Sequence, residues 1–206
     1  MSKKKKEIDI KLINKILEGD INKFSEIVEL YQDKLLKYIL LKTNIWYQDA
    51  EALLQDIFIK VYKNLNAYNS KYSFNSWIYK ITHNYVIDNF KKTQKQKDNT
   101  VSLDEFLDND DNKNSLLEIL IDENVDLPRD LNKKELQLKV IESLNKLDTK
   151  YKEALILRYF EWLKYEEIWE ILKIPYNTVW TLVQRWLKNL KKIAIQDNLQ
   201  RYIDED

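Results

Sequence analysis

Residues 159–192 read YFEWLKYEEIWEILKIPYNTVWTLVQRWLKNLKK. The pattern predicts a short helix over 166–172, a turn at 173–175 and a longer helix over 176–190. Pro175 has no N–H to give inside a helix, but its fixed φ suits the first turn of one. Val179, Val183, Trp186 and Leu190 recur at intervals of four, three and four, so they form one buried stripe. The opposite face carries Tyr176, Asn177, Trp180, Thr181, Gln184, Arg185 and Lys188. Amides, hydroxyls and an arginine are the groups that reach base edges and phosphates in a major groove. Between 173 and 192 there are five bases and no acid. Helix lengths, turn, stripe and charge agree on a DNA-reading helix-turn-helix. The plainer reading is a basic solvated helix after an ordinary helix pair.

The whole chain of 206 residues allows one domain or two small ones. Glycine occurs once (Gly19) and proline twice (Pro128, Pro175), where average usage gives about 14 and 10. So few breakers predict an all-α chain. The 34 Lys and Arg balance 34 Asp and Glu, which argues against a protein basic all over but leaves room for local basic patches. The absence of cysteine removes disulfides, thiolate zinc sites and cysteine nucleophiles, and fits a reducing compartment. No apolar run approaches a membrane span, and the start MSKKKKEIDI has no apolar stretch of a secretory signal. The expected location is the cytoplasm, with no membrane insertion and no small-molecule substrate. Lys3 to Lys6 read as a solvated, frayed tail.

Three stretches differ in character. Residues 8–97 carry helical periodicity: Leu12 and Ile16, then Phe24, Ile27, Val28, Tyr31, Leu35, Tyr38 and Ile39. A second run over 49–65 turns Leu53, Leu54, Ile57, Phe58, Val61, Tyr62 and Leu65 inward. A third covers 74–92. Residues 98–130 differ: from 98 to 126 there are ten acids and one base, and DNDDNKN has no core former, so a solvated acidic linker is expected. Periodicity returns over 131–200. Two small helical domains joined by an acidic flexible linker are the predicted architecture.

The string DAEALLQDIFIKVYKNLNAYNSKYSFNSWIYKITHNYVIDNFKK, residues 49–92, resembles region 2 of bacterial sigma factors of the extracytoplasmic-function type, within the sigma-70 family. There a DAEDLVQE-like helix precedes a loop and an F-x-x-W-(L/I)-Y-x-I-(A/T)-x-N-x-x-I-D helix. Phe74, Trp77, Ile78, Tyr79, Ile81, Asn84, Ile87 and Asp88 fall in register. LDTKYKEALILRYFEWLKYEEIWEILKIPYNTV, residues 147–179, is similar to region 4 of the same family, LPxxYREVLxLRYFEGLSYEEIAEILGIPxGTV. The resemblance implies an alternative sigma factor: a protein that binds core RNA polymerase, recognises the −10 and −35 promoter elements and promotes initiation, without catalysis or cofactor. Its partners would be core polymerase and promoter DNA, with an anti-sigma factor as a further candidate.

The resemblance implies a polymerase-binding face at Asp49, Glu51, Gln55, Asp56 and Tyr62. Gln55 and Asp56 match the family's clamp-binding pair, while Ala52 departs from its usual acid. A −10 surface is implied at Tyr72, Asn75, Trp77, Lys80, Asn84, Asp88, Lys91 and Lys92, where aromatics beside lysines give stacking faces next to phosphate partners. Phe74, Trp77 and Ile81 read equally as core. A −35 surface is implied at Tyr176, Asn177, Thr178, Trp180, Thr181, Gln184, Arg185 and Lys188. The acidic linker would thread the polymerase channel as a nucleic-acid mimic, or simply tether the domains. His83, the one histidine, has no His or Cys companion for zinc and reads as a surface or DNA-adjacent residue.

Four tryptophans depart from the family pattern. Trp162 occupies the glycine of FEGL, Trp169 and Trp186 small-residue positions, and Trp180 the DNA face. Indoles at 162, 169 and 186 predict overpacking, at about 1–3 kcal/mol each. A UGA codon that the source reads as glycine, rendered as tryptophan, would explain both these indoles and the single glycine; Trp46 would be a fifth case. The literal alternative is a repacked domain with Trp180 on DNA. Two other functions stay open on the residues alone. One is a stand-alone helix-turn-helix regulator that never touches polymerase. The other is a nucleic-acid enzyme using paired carboxylates such as Asp49 and Glu51, although acids also favour a helix N-terminus without any chemistry.

Overall fold

A computed structural model of the chain describes residues 3–93 and 141–196. The first lobe is built from α1 (Lys3–Leu17), α2 (Phe24–Thr43), α3 (Tyr47–Lys63) and α4 (Phe74–Thr93), with single 3-10 turns at Ile21–Lys23 and Leu65–Ala67. Gly19 ends the first turn region at φ +111, a conformation that side chains resist. Lys3 to Lys6 are already helical, not the frayed tail expected. The acidic segment expected at 98–130 lies outside the described residues.

The second lobe contains helical residues 141–145 and α5 (Thr149–Leu155), which runs on through a π-helical turn (Ile156–Phe160). After it come α6 (Tyr165–Leu172) and α7 (Tyr176–Gln196). Asp148 caps α5 by accepting from the Lys150 N–H at 3.1 Å. Lys173 ends α6 in the left-handed region, and the Pro175 carbonyl starts α7 by accepting from the Thr178 and Val179 N–H groups. Among the described residues every regular element is helical. None of these helices is long and apolar enough to cross a membrane.

The first core gathers Tyr31, Leu35, Tyr38 and Ile39 from α2, Ile57 and Val61 from α3, and Phe74, Ile78 and Tyr79 from α4. Its rings meet edge to face, Tyr31 on Phe74 at 5.6 Å and Tyr38 on Tyr79 at 5.4 Å, the arrangement that ring quadrupoles favour. The same buried cluster continues into the second lobe, where Ile168 and Ile171 of α6 join Leu155, Leu157, Leu163, Val179, Val183 and Trp186. The predicted stripe of α7 is therefore buried at Val179, Val183 and Trp186.

The expected overpacking is not found. Trp162 and Trp169 point outward, 66% and 46% exposed, because the face of α6 that carries residue 169 is its open face. Lys173 lies over the Trp169 ring at 5.4 Å. Trp186 is buried but accommodated: its Nε1 donates to Ser143 Oγ at 3.3 Å and its ring tilts against Tyr159. Backbone strain instead singles out Trp162, at φ +54. Trp169, Trp180 and Trp186 are helical, and Trp46 precedes α3 at φ −58, so of these five tryptophans only Trp162 has a conformation that calls for glycine.

Candidate polymerase and nucleic-acid surfaces

On α3 the inward residues Leu53, Leu54, Ile57, Phe58 and Val61 are buried. Helical spacing then leaves Asp49, Glu51, Gln55 and Asp56 exposed on the other side. Asp56 Oδ2 accepts from Tyr85 Oη at 2.8 Å, which ties this face to α4. Burial and that hydrogen bond hold the Tyr85 hydroxyl above its ordinary pKa. Tyr62, expected inward, is 40% exposed and leans edge-on against Phe24 at 5.1 Å. The last turn of α3 lies at the rim of the core, so its ring is covered on one side only.

On α4, Lys80, Asn84, Asp88, Lys91 and Lys92 are exposed, and Tyr72 stands exposed just before the helix. Trp77 is half-buried, held by Tyr68 and Phe74 at 5.4 and 5.3 Å. Asn75 and His83 are not on this open face. Asn75 is 4% exposed, and its Nδ2 donates to the Glu161 carbonyl of the second lobe at 3.4 Å. His83, expected at the surface, is 8% exposed and also faces the second lobe. The lobes pack α6 on α4 and α5 on α2, so the inner face of α4 is covered.

On α7, Tyr176, Asn177, Trp180, Thr181, Gln184, Arg185 and Lys188 are exposed, and Thr178 is half-buried. Thr181 Oγ1 donates to the Asn177 carbonyl at 2.7 Å. Tyr176 meets Tyr165 edge to face, and the Arg158 guanidinium lies 4.8 Å over Tyr165 while donating to the Leu163 carbonyl. These contacts brace the start of α7 against α6.

Sequence reasoning missed a cluster of buried polar groups between the lobes. Glu153 Oε1 accepts from Tyr38 Oη and, at 2.6 Å, from Lys42 Nζ. His83 Nδ1 stands 2.6 Å from the same oxygen and 2.9 Å from Lys42 Nζ. Burial alone would push the Glu153 carboxyl up, but the His83 hydrogen bond and the Lys42 charge outweigh it and hold the group below its usual range. Burial lowers the Lys42 pKa, with Glu153 opposing. Nearby, Glu161 accepts from Tyr79 Oη and Glu167 from Ser73 Oγ. The available signal was a lysine at position 42, four residues beyond Tyr38 on an inward stripe. Among the described residues no group of three or more His, Cys, Asp or Glu could hold a metal ion.

The sequence matches sigma-70 region 2 over residues 27–96 and sigma-70 region 4 over 137–190. It is 31% identical to the ECF RNA polymerase sigma factor SigW of Bacillus subtilis, across 88% of this chain and 94% of that protein. The ECF RNA polymerase sigma-E factor of Haemophilus influenzae is 28% identical, across 83% and 87%. The fold is similar to CnrH in complex with the cytosolic domain of CnrY, with TM-score 0.59 and 17% identity over 90% of this chain and 96% of that one. It also resembles the sigma factor RpoE of Bartonella quintana in complex with the anti-sigma factor NepR, with TM-score 0.56 and 19% identity over 82% and 94%. The chain belongs to the sigma-70 family of RNA polymerase sigma factors, in its extracytoplasmic-function branch.

Proposed function

We propose that this chain is an alternative sigma factor that binds core RNA polymerase and directs it to promoters, acting in the cytoplasm and catalysing no reaction itself. The observation that carries this reading is the presence of both matched regions in one chain. A stand-alone helix-turn-helix regulator has no use for region 2.

In this reading residues 8–97 bind polymerase and the −10 element, 98–130 link, and 131–200 bind the −35 element. Asp49, Glu51, Gln55, Asp56 and Tyr62 meet polymerase. Tyr72, Trp77, Lys80, Asn84, Asp88, Lys91 and Lys92 meet the −10 strand, with Asn75 joining once the lobes part. The outer face of α7 from Tyr176 to Lys188 reads the −35 element. What supports it is that most of these side chains are solvent-accessible, while their helices are fixed by apolar stripes on the opposite side. An anti-sigma factor is a natural regulator, since two proteins of similar fold are each seen with a bound partner.

The test is co-purification with core polymerase followed by run-off transcription from fragments of the source genome. Stable association and discrete start sites are expected. Specific duplex binding without any affinity for core polymerase would instead favour the stand-alone regulator.

A further inference from the structure

We propose that Tyr176, the first residue of α7, reads the C5-methyl group of a thymine in the upstream promoter element, with Asn177 on the paired adenine. This deepens the reading of the outer α7 face as the −35 surface and rests on it. In a helix-turn-helix the N-terminal residues of the recognition helix are the ones that reach base edges. Tyr176 stands at that end of α7 and is 45% exposed. Its ring is held in place. Tyr165 meets it edge to face at 5.5 Å, and the Arg158 guanidinium lies 4.8 Å over Tyr165 while its Nη1 donates to the Leu163 carbonyl at 3.1 Å. The stack thus runs from a fixed backbone carbonyl to an open aromatic surface.

The chemistry selects thymine. Of the four bases only thymine shows a methyl group on its major-groove edge, while cytosine offers an amine donor there. A ring already held in place gives up little conformational freedom when it covers that methyl, so more of the apolar burial appears as affinity. The partner of thymine is adenine, whose N6 and N7 match an asparagine amide at two points. Asn177 follows Tyr176 directly, is exposed, and has its backbone carbonyl fixed by the Thr181 hydroxyl at 2.7 Å. The first turn of α7 carries no acid to repel the neighbouring phosphates. A ring and an amide side by side therefore suit one thymine–adenine pair, separate from the guanine that Arg185 addresses further along the helix.

The experiment selects duplexes from a random pool with the full chain, alone and bound to core polymerase. Each thymine of the enriched element is then replaced by deoxyuridine, which removes only the methyl. Wild type should lose affinity roughly three- to fivefold at one thymine, the effect of one buried methyl. With a cytosine–guanine pair at that position, 5-methylcytosine should bind better than cytosine by the same factor. Tyr176→Ala should bind the thymine and uracil duplexes equally, with unchanged circular dichroism. Tyr176→Phe keeps the ring and should keep the discrimination. Asn177→Ala should relax the choice of base opposite that thymine and leave the methyl effect. Uracil tolerated at every position, or a methyl effect that survives Tyr176→Ala, would overturn the assignment. Enrichment of no duplex in either form would overturn the DNA-reading role of α7 and the thymine contact with it. Enrichment without association to core polymerase would count against the sigma reading alone, and the uracil series would still decide the methyl contact.

Discussion

Lys42 reaches across the lobe boundary to Glu153, its Nζ 2.6 Å from the carboxylate, with both side chains almost wholly buried. Their titrations therefore act on the packing of the lobes. Glu153 is held below the ordinary carboxyl value of 4.5. A depressed acid contributes stability that is present above its unfolded pKa and lost as pH falls through its folded one. Thermal midpoints measured from pH 7 down to pH 3 should fall once pH drops below about 4.5. Glu153→Gln should flatten that acid limb. An acid limb identical to wild type would mean that other carboxylates carry it.

Lys152 gives the opposite window. It lies buried beside Glu153, donating to Asn145 Oδ1 at 2.5 Å and to Asn44 Oδ1 at 3.3 Å. Burial lowers its pKa to about 8, with Glu153 opposing. Below that value the lysine is charged in both states, and folding bears the full desolvation cost. Between about 8 and 10.5 the folded state sheds its proton first, so this residue's contribution rises with pH. At 1.36 kcal/mol per unit the full rise is on the order of 3 kcal/mol. Tyr38 and Tyr79, whose pKa values burial raises, pull stability down near pH 10, so the comparison is with Lys152→Met. Subtracting the two urea-unfolding series isolates the lysine. A difference that does not change with pH would refute the assignment.

Trp162 holds a left-handed backbone with its indole two-thirds in solvent. The conformation costs an L residue about 1–2 kcal/mol, and little packing is lost with the ring. Trp162→Gly should therefore stabilise the chain by about 1 kcal/mol, raising Tm by about 2–4 °C. Trp186→Gly should do the reverse, since that indole is buried with a hydrogen bond and a ring partner. The coding nucleotides give an independent check. A UGA at residue 162 would make glycine the natural residue there, and UGG would make the strain native.

How much of this was legible follows from where each signal lives. The α7 stripe needed only a 3.6-residue period and Pro175, both local, and Val179, Val183 and Trp186 are buried as that period demands. The outward set on α3 follows in the same way from Leu53, Leu54, Ile57 and Phe58. His83 and Asn75 were unreadable because their partners lie 70 and 86 residues away. A polar side chain on a helix looks like a surface residue until another lobe is laid over it. The tryptophans failed for a related reason. A family's small residue at 169 does not say which side of α6 is crowded, and that side is open.

The α3 face permits a direct test of docking. Gln55→Ala with Asp56→Ala should weaken affinity for core polymerase about tenfold or more, the loss expected when a buried polar or charged contact is truncated. Asp56 also accepts from Tyr85, so Tyr85→Phe is the control: it removes the intramolecular bond and keeps the carboxylate. Circular dichroism should not change. Equal losses from Tyr85→Phe would assign the effect to the position of α4 and not to docking.

Arg185 and Lys188 lie three residues apart on the exposed side of α7, opposite the buried Val179 and Val183. Their chemistry separates their roles. The arginine fork can bond a guanine edge at two points, a contact worth about 1–3 kcal/mol of discrimination. The lysine is a point charge suited to phosphate. Arg185→Ala should lower affinity for the upstream promoter element and relax preference at one base pair. Lys188→Ala should weaken matched and mismatched duplexes alike and reduce the salt slope by about one unit. Binding of the full chain, titrated against both duplexes at several salt concentrations, separates these outcomes. If Lys188→Ala alters sequence preference while Arg185→Ala alters only the salt slope, α7 lies in the groove in a different register from the one its exposed face suggests.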